Sequence, residues 1–416
     1  MANDNGYGKK YGRGGNGGNR SGAFNGRGNG GSGEKNMNGG KKAFEKKSFE
    51  ELEYLTLGAL RKAVVEGDVT NGTVMAGQIA GMVSKEQTCS EMIEEMMEQA
   101  KKLLGKRKKI RRMYMGKTAF IFPGQGTQVC GMGQDFYEKT EIGRKIFDRA
   151  SELLGFSVPD LCFETNDRLN ITEYTQPAMV TTILAMWKVI DEMGVKADVT
   201  AGLSLGEYPA MAAAGVMSVE DAILTVRLRG ILMQEAVPAG IGGMSAVLGM
   251  TAEQINEVVD PIENVQVANY NCPGQIVISG KLDAVEFAAE KLKDAGARRI
   301  LPLNVSGPFH SYLLEEAGNK LGEFLENIPV HEPSIPYVAN VNAKYVRTAA
   351  EVKPLLTKQV SSSVRWQQSV EAMIADGVDR FIEIGPGKTL AGFIKKIDRN
   401  VTVINIEKVE DLVKLN

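Results

Sequence analysis

Val199–Met211, VTAGLSLGEYPAM, reads as the end of an apolar strand, a tight turn between glycines and the start of a helix. Its centre, Gly202-Leu203-Ser204-Leu205-Gly206, fits G-x-S-x-G, the pattern of an elbow that lifts a serine hydroxyl clear of a sheet. So short a pattern recurs by chance, and on it alone Ser204 is either a nucleophile or a serine in a turn. The chain on both sides has to supply a parallel α/β sheet and a base.

The sheet is written outward from this stretch. Upstream, MGKTAFIFPGQGTQ gives a short apolar strand and a loop whose glycines let backbone N–H groups approach a ligand. Helical and strand patterns then alternate through GRKIFDRASELLG, PAMVTTILAMWKVIDEMG, ADVTAGLS, GEYPAMAAAG and SVEDAILTVRLRGILMQEAV. Such alternation predicts an α/β hydrolase-like core with a mostly parallel sheet, over residues 115–240 and 306–410. Residues 241–305 have another rhythm, β-α-β-β-α-β, which predicts an inserted ferredoxin-like subdomain.

Composition suits a packed protein: 43% of residues are hydrophobic and 24% charged. The net charge of −2 hides an asymmetry. Residues 1–113 carry 21 Lys/Arg against 13 Asp/Glu, whereas residues 114–416 carry 28 against 38, so a basic extension precedes an acidic body. Residues 1–45 are Gly/Asn-rich, too poor in apolar side chains to offset ordering entropy, and are expected to be a disordered tail. Their Gly-Arg flavour suits RNA in principle, but a solubilising tail is the simpler reading and nucleic acid is not an expected partner.

Residues 46–113 read as a helical segment of unknown role ending in a basic linker, with Ser48 and Glu51 spaced as a capping box. This segment has no Asp-Ser-Leu sequence of the kind a phosphopantetheine-carrying domain needs. The four cysteines form no C-x-x-C pair, which argues against a disulfide framework or a zinc site and for a reducing, cytoplasmic setting. Cys130 and Cys272 are expected to be buried and structural. No secretory signal pattern opens the chain, and no apolar segment is long enough to span a bilayer, so neither secretion nor a membrane partner is expected.

A serine hydroxyl needs a neighbouring base, and histidine is the usual one. The chain has only two histidines, His310 and His331. His331 lies in a Pro-rich connection and reads as a polar loop residue. His310, in NVSGPFHSYLLEE, follows the last strand of the insertion, with Gly307 and Pro308 tightening the turn before it. The order serine then histidine is that of hydrolase-like sheet enzymes.

FPGQGTQ, GLSLGEYPAMAAAG, VRLRGILMQEAVP, GPFHS and EIGPGKTLAGFIKKI occur in this order and at suitable intervals. Together they resemble the malonyl-CoA:acyl carrier protein transacylase family, whose motifs recur in polyketide synthase acyltransferase domains. The resemblance covers about residues 115–410 and leaves 1–113 outside. It implies Ser204 as the acylated nucleophile and His310 as general base. It implies backbone N–H groups of Gln125 and Leu205 as the oxyanion hole, and Arg229 as partner of the malonyl carboxylate. It further implies the main-chain carbonyl of Gln359 as the group that orients the histidine, and Phe309 as a selectivity residue excluding an α-methyl branch. From spacing alone Arg229, like Arg227, is a surface arginine on an amphipathic helix; the resemblance reverses that for Arg229. Leu203 departs from the family's usual histidine in G-H-S-x-G and is expected to alter the pocket, not the mechanism.

The function implied is malonyl transfer from malonyl-CoA, through a malonyl-serine ester, to the phosphopantetheine thiol of an acyl carrier protein in fatty acid synthesis. No metal or bound cofactor is expected. The alternatives are a serine esterase or thioesterase, or an acyltransferase serving a polyketide synthase. A monomer is the default. GPGK at Gly385–Lys388 lacks P-loop spacing and is expected to turn a strand into a helix near the site.

Overall fold

The computed structural model describes residues 88, 91, 93–95, 97–99 and 116–415, the last range without 239, 304 and 306. The expected tail 1–45, the Ser48–Glu51 box and the basic linker lie outside the described residues. Within 46–113 the described positions from 91 to 99 are helical. Thr88 and Glu91 cap them reciprocally: Thr88 N–H donates to Glu91 Oε2 at 2.8 Å and Glu91 N–H to Thr88 Oγ1 at 3.3 Å.

From residue 116 onward, strands and helices alternate. β1 (Lys117–Phe122) leads through α1 (Gln134–Lys139), α2 (Glu141–Leu154) and α3 (Val158–Phe163) to the long α4 (Thr172–Glu192). β2 (Val199–Gly202) turns through a single 3-10 turn, Ser204–Gly206, into α5 (Glu207–Ala213) and α6 (Val219–Glu235). Next come β3 (Gly242–Leu248), α7 (Ala252–Val259), β4 (Val265–Cys272), β5 (Gln275–Lys281), α8 (Leu282–Asp294) and β6 (Arg299–Pro302). The chain continues with α9 (Glu315–Leu325), β7 (Tyr337–Val338), β8 (Tyr345–Val346), α10 (Val352–Gln359) and α11 (Trp366–Ala375). β9 (Val378–Ile384), α12 (Thr389–Ile397) and β10 (Thr402–Ile406) complete it.

Six strands form one sheet in the order β10-β9-β1-β2-β7-β8, parallel throughout except for the edge pair β7-β8. β1 shows why it lies at the centre. Phe120 and Phe122 face one core, Ala119 and Ile121 the other, so both faces are covered and the strand reads as an unbroken apolar run. The four strands of residues 242–302 form a separate antiparallel sheet, β4-β5-β3-β6, with its own core. Two backbone bonds tie it to the larger body: Tyr270 N–H to Val364 O at 2.9 Å, and Val364 N–H to Ala268 O at 2.8 Å.

Two expectations need correcting. Cys130 is exposed, its thiol 3.2 Å from Phe163 O; Cys272 is buried as expected. Arg227 is not a loose surface arginine. Pro177, inside α4, has no N–H for the Glu173 carbonyl one turn earlier. Arg227 Nη1 supplies the missing donor at 2.5 Å, and its Nη2 pairs with the Glu173 carboxylate at 2.8 Å. The guanidinium also sits over the Tyr174 ring, 4.7 Å from its centroid. The turn around Pro177 is thereby stitched to α6, the helix that carries Arg229. No helix among the described residues is long and apolar enough to cross a membrane.

Candidate active site

The site is built at the carboxyl end of the parallel strands, where ligands of such sheets bind. β2 ends at Gly202, and the turn that follows is compressed against β1. A Cβ on Gly206 would lie 2.1 Å from Phe122 O, and one on Gly202 would lie 1.8 Å from Gly206 O. Only hydrogen fits at either position. The turn leaves Ser204 at φ +52°, a left-handed conformation unusual for a residue with a Cβ.

Three elements distant in sequence hold that strained residue. Ser204 N–H donates to Asn340 Oδ1 at 2.6 Å, Ser204 O accepts from Gln359 Nε2 at 3.0 Å, and Oγ lies 2.6 Å from His310 Nε2. Asn340 also donates through Nδ2 to Gly202 O at 2.6 Å, bracing both ends of the elbow.

His310 is itself left-handed, at φ +57°, and only 3% exposed. Its Nδ1 faces the main-chain O of Gln359 at 2.9 Å. A carbonyl only accepts, so the proton belongs on Nδ1 and Nε2 is free to accept from Ser204. Gln266 fixes the main chain here: its Nε2 donates to His310 O at 3.0 Å and to Ser361 O at 3.2 Å. Burial, then the charge of Arg229, push the imidazole down to about 4, against the pull of the Gln359 carbonyl.

Arg229, on α6, is 1% exposed. Its Nη1 donates to Gln176 Oε1 at 2.9 Å, and its Nη2 to Gln359 Oε1 at 3.1 Å and Ser204 Oγ at 3.3 Å. Behind them Glu207 is buried, and its Oε2 accepts from Gln359 Nε2 at 2.8 Å and from Asn340 N–H at 3.2 Å. Burial raises this carboxyl to about 7, opposed by those two donors.

These groups meet at one cavity of about 540 Å³. Gln125, Leu203, Ser204, Arg229, Phe309 and His310 all line it. Leu205, the remaining sequence-predicted residue, is buried one position past Ser204 in the same turn. His331 is exposed on its connection. The GPGK turn leads from β9 into α12, whose Thr389 and Phe393 also reach the cavity. Among the described residues, no group of three or more His, Cys, Asp or Glu side chains could hold a metal ion.

Sequence reasoning missed Asn340, Glu207, Gln176 and Gln266. Asn340 was within reach, because it follows β7 at the carboxyl end of a parallel strand. The other three carry no local signal; only their contacts with charged or strained groups mark them.

Comparison with known proteins gives first a class: the acyl transferase domain family model matches residues 119–410. A malonyl CoA-acyl carrier protein transacylase of Bacillus subtilis (strain 168) is 46% identical over 303 residues, covering 72% of this chain and 96% of the relative. The crystal structure of the Clostridium perfringens protein of that name superposes with a TM-score of 0.70 at 46% identity, covering 72% of this chain and 95% of that one. A malonyl-transacylase in complex with its type II PKS acyl-carrier protein gives a TM-score of 0.70 at 39% identity, covering 72% and 98%. The chain belongs to the malonyl CoA-acyl carrier protein transacylase family.

Proposed function

We propose that this protein transfers malonyl from malonyl-CoA to the phosphopantetheine thiol of an acyl carrier protein, for fatty acid synthesis. The observation that carries the reading is the buried Arg229, whose Nη2 stands 3.3 Å from the Ser204 hydroxyl. Malonyl differs from acetyl by one carboxylate, and a guanidinium set beside the nucleophile is what selects it. The relatives' names and the carrier-bound neighbour support the same activity.

In the first half-reaction Ser204 Oγ attacks the thioester carbonyl as its proton passes to His310 Nε2. The oxyanion is held by the N–H groups of Gln125 and Leu205. The C–S bond breaks, and the CoA thiolate leaves with the proton from His310. The carrier thiol then gives its proton to His310, its sulfur attacks the malonyl ester, and Ser204 Oγ regains the proton. The thioester is already activated, so Ser204 and His310 serve both halves without a resident cofactor. Phe309, on the cavity wall, leaves little room for an α-methyl branch.

The reading is tested by intact mass after mixing with malonyl-CoA, acetyl-CoA or methylmalonyl-CoA, then adding holo carrier protein. A malonyl adduct that persists in water and discharges onto the carrier is expected. Discharge to water alone would make the protein an esterase or thioesterase, and preference for a polyketide carrier would move it to that pathway.

The pH dependence follows from His310. The base must be neutral, and its lowered value keeps it neutral well below the ordinary histidine range. The acid limb of kcat/KM, which reports free enzyme, is expected as pH falls through about 4. A bound malonyl carboxylate cancels the Arg229 field, so the limb of kcat should lie at higher pH. An acid limb of kcat/KM near the ordinary histidine value would contradict the burial of the ring.

The domain reading rests on the same frame: a hydrolase-like core over 115–240 and 306–410, a ferredoxin-like subdomain over 241–305, and a cytoplasmic, monomeric enzyme. The relatives align over 72% of this chain and nearly their whole length, which supports a transferase contained in the residues after 113. Removing residues 1–113 is expected to leave steady-state malonyl transfer within about twofold, since the family match begins only at residue 119. A loss beyond tenfold would assign the extension a part in catalysis.

A further inference from the structure

We propose that Gln176 and Gln359 form a neutral amide frame around Arg229, and that the neutrality of these two side chains is a determinant of the preference for an anionic acyl group. The inference rests on the reading that Arg229 receives the substrate carboxylate. A buried guanidinium ordinarily has a carboxylate beside it, because an uncompensated buried charge is costly. Here the side chain is 1% exposed, yet its nearest acceptors are two amide oxygens, Gln176 Oε1 at 2.9 Å and Gln359 Oε1 at 3.1 Å. Among the described residues, no Asp or Glu forms an ion pair with it.

The orientation of both amides follows from donor chemistry. Arginine only donates, so each amide must turn its oxygen toward it. The Gln359 NH2 group then faces the Glu207 carboxylate at 2.8 Å, which keeps that carboxylate one side chain away from the guanidinium. The Gln176 NH2 group meets only the Met233 sulfur, at 3.5 Å. The frame therefore pairs both terminal nitrogens with neutral oxygens, leaves Nε without a partner, and keeps every carboxylate out of direct contact with the guanidinium. A malonyl carboxylate supplies the counter-charge; an acetyl group leaves it missing. Hydrogen bonding and charge are separated in this way, and the charge is what discriminates.

Gln176→Glu puts a carboxylate of nearly the same shape at the 2.9 Å contact and loses only the amide–sulfur contact. The ratio of Ser204 acylation rates with malonyl-CoA and acetyl-CoA should fall roughly 10- to 100-fold, as expected for losing a charge-assisted contact. Gln176→Met removes the acceptor without adding charge, and should slow both reactions while keeping their ratio within about threefold. Arg229→Ala separates the two readings. If it leaves the ratio unchanged, Arg229 does not receive the carboxylate and the functional reading fails. If it collapses the ratio but a folded Gln176→Glu protein does not, the frame is overturned. Thermal melting checks folding. Should Gln176→Glu fail to fold, the unsubstituted protein decides with malonamyl-CoA, the uncharged amide of malonyl-CoA. Acylation near the acetyl-CoA rate supports the frame, and acylation matching malonyl-CoA overturns it.

Discussion

Replacing Ser204 with alanine is expected to leave a folded protein that takes up no malonyl group, with kcat/KM for transfer reduced roughly 10⁴-fold or more. The size of the effect follows from the route. In the proposed mechanism both half-reactions pass through the same Oγ, which His310 Nε2 meets at 2.6 Å and Arg229 Nη2 at 3.3 Å. Among the described residues, no other hydroxyl is held against that imidazole. Alanine keeps the two backbone contacts that hold the elbow, Ser204 N–H to Asn340 Oδ1 and Gln359 Nε2 to Ser204 O. The residue is therefore removed as a nucleophile and retained as a piece of structure. Intact mass after incubation with malonyl-CoA reads the result directly, and a malonyl adduct persisting on the variant would place the nucleophile elsewhere.

Gly202→Ala is expected to act on folding instead, lowering stability by about 3–5 kcal/mol. The added Cβ would stand 1.8 Å from Gly206 O, and the conflict is with backbone, so no rotamer relieves it. Relief means lifting the turn, but Gly206 is wedged against β1, where its own Cβ would lie 2.1 Å from Phe122 O. The denaturant midpoint measures this loss. A midpoint within experimental error of the parent would mean that the elbow is looser than these approaches allow. The two variants divide the G-x-S-x-G pattern between chemistry and geometry: the serine is the proposed nucleophile, and the glycines let it stand at φ +52°.

Much of the scaffold was legible because its signals are local. Apolar runs such as TAFIF mark strands buried on both faces, and the changed rhythm of 241–305 marks the second sheet. Having only two histidines reduced the search for a base to one choice. Arg229 was legible only through family resemblance, because its periodicity is that of any amphipathic helix. Arg227, two positions away, was misread for the same reason: its role answers a proline in another helix.

The sequence by itself determined the alternation of elements, the elbow and the short roster of chemically able side chains, since periodicity, glycine and histidine act within a few residues of chain. Tertiary structure alone decided which polar groups share one buried space. Gln176, Glu207 and Asn340 are unremarkable where they stand in the chain, and their meaning comes from burial around a strained serine and a guanidinium with no carboxylate in direct contact. Burial is a property of packing between distant segments, and it sets the strength of every charge and hydrogen bond at the site.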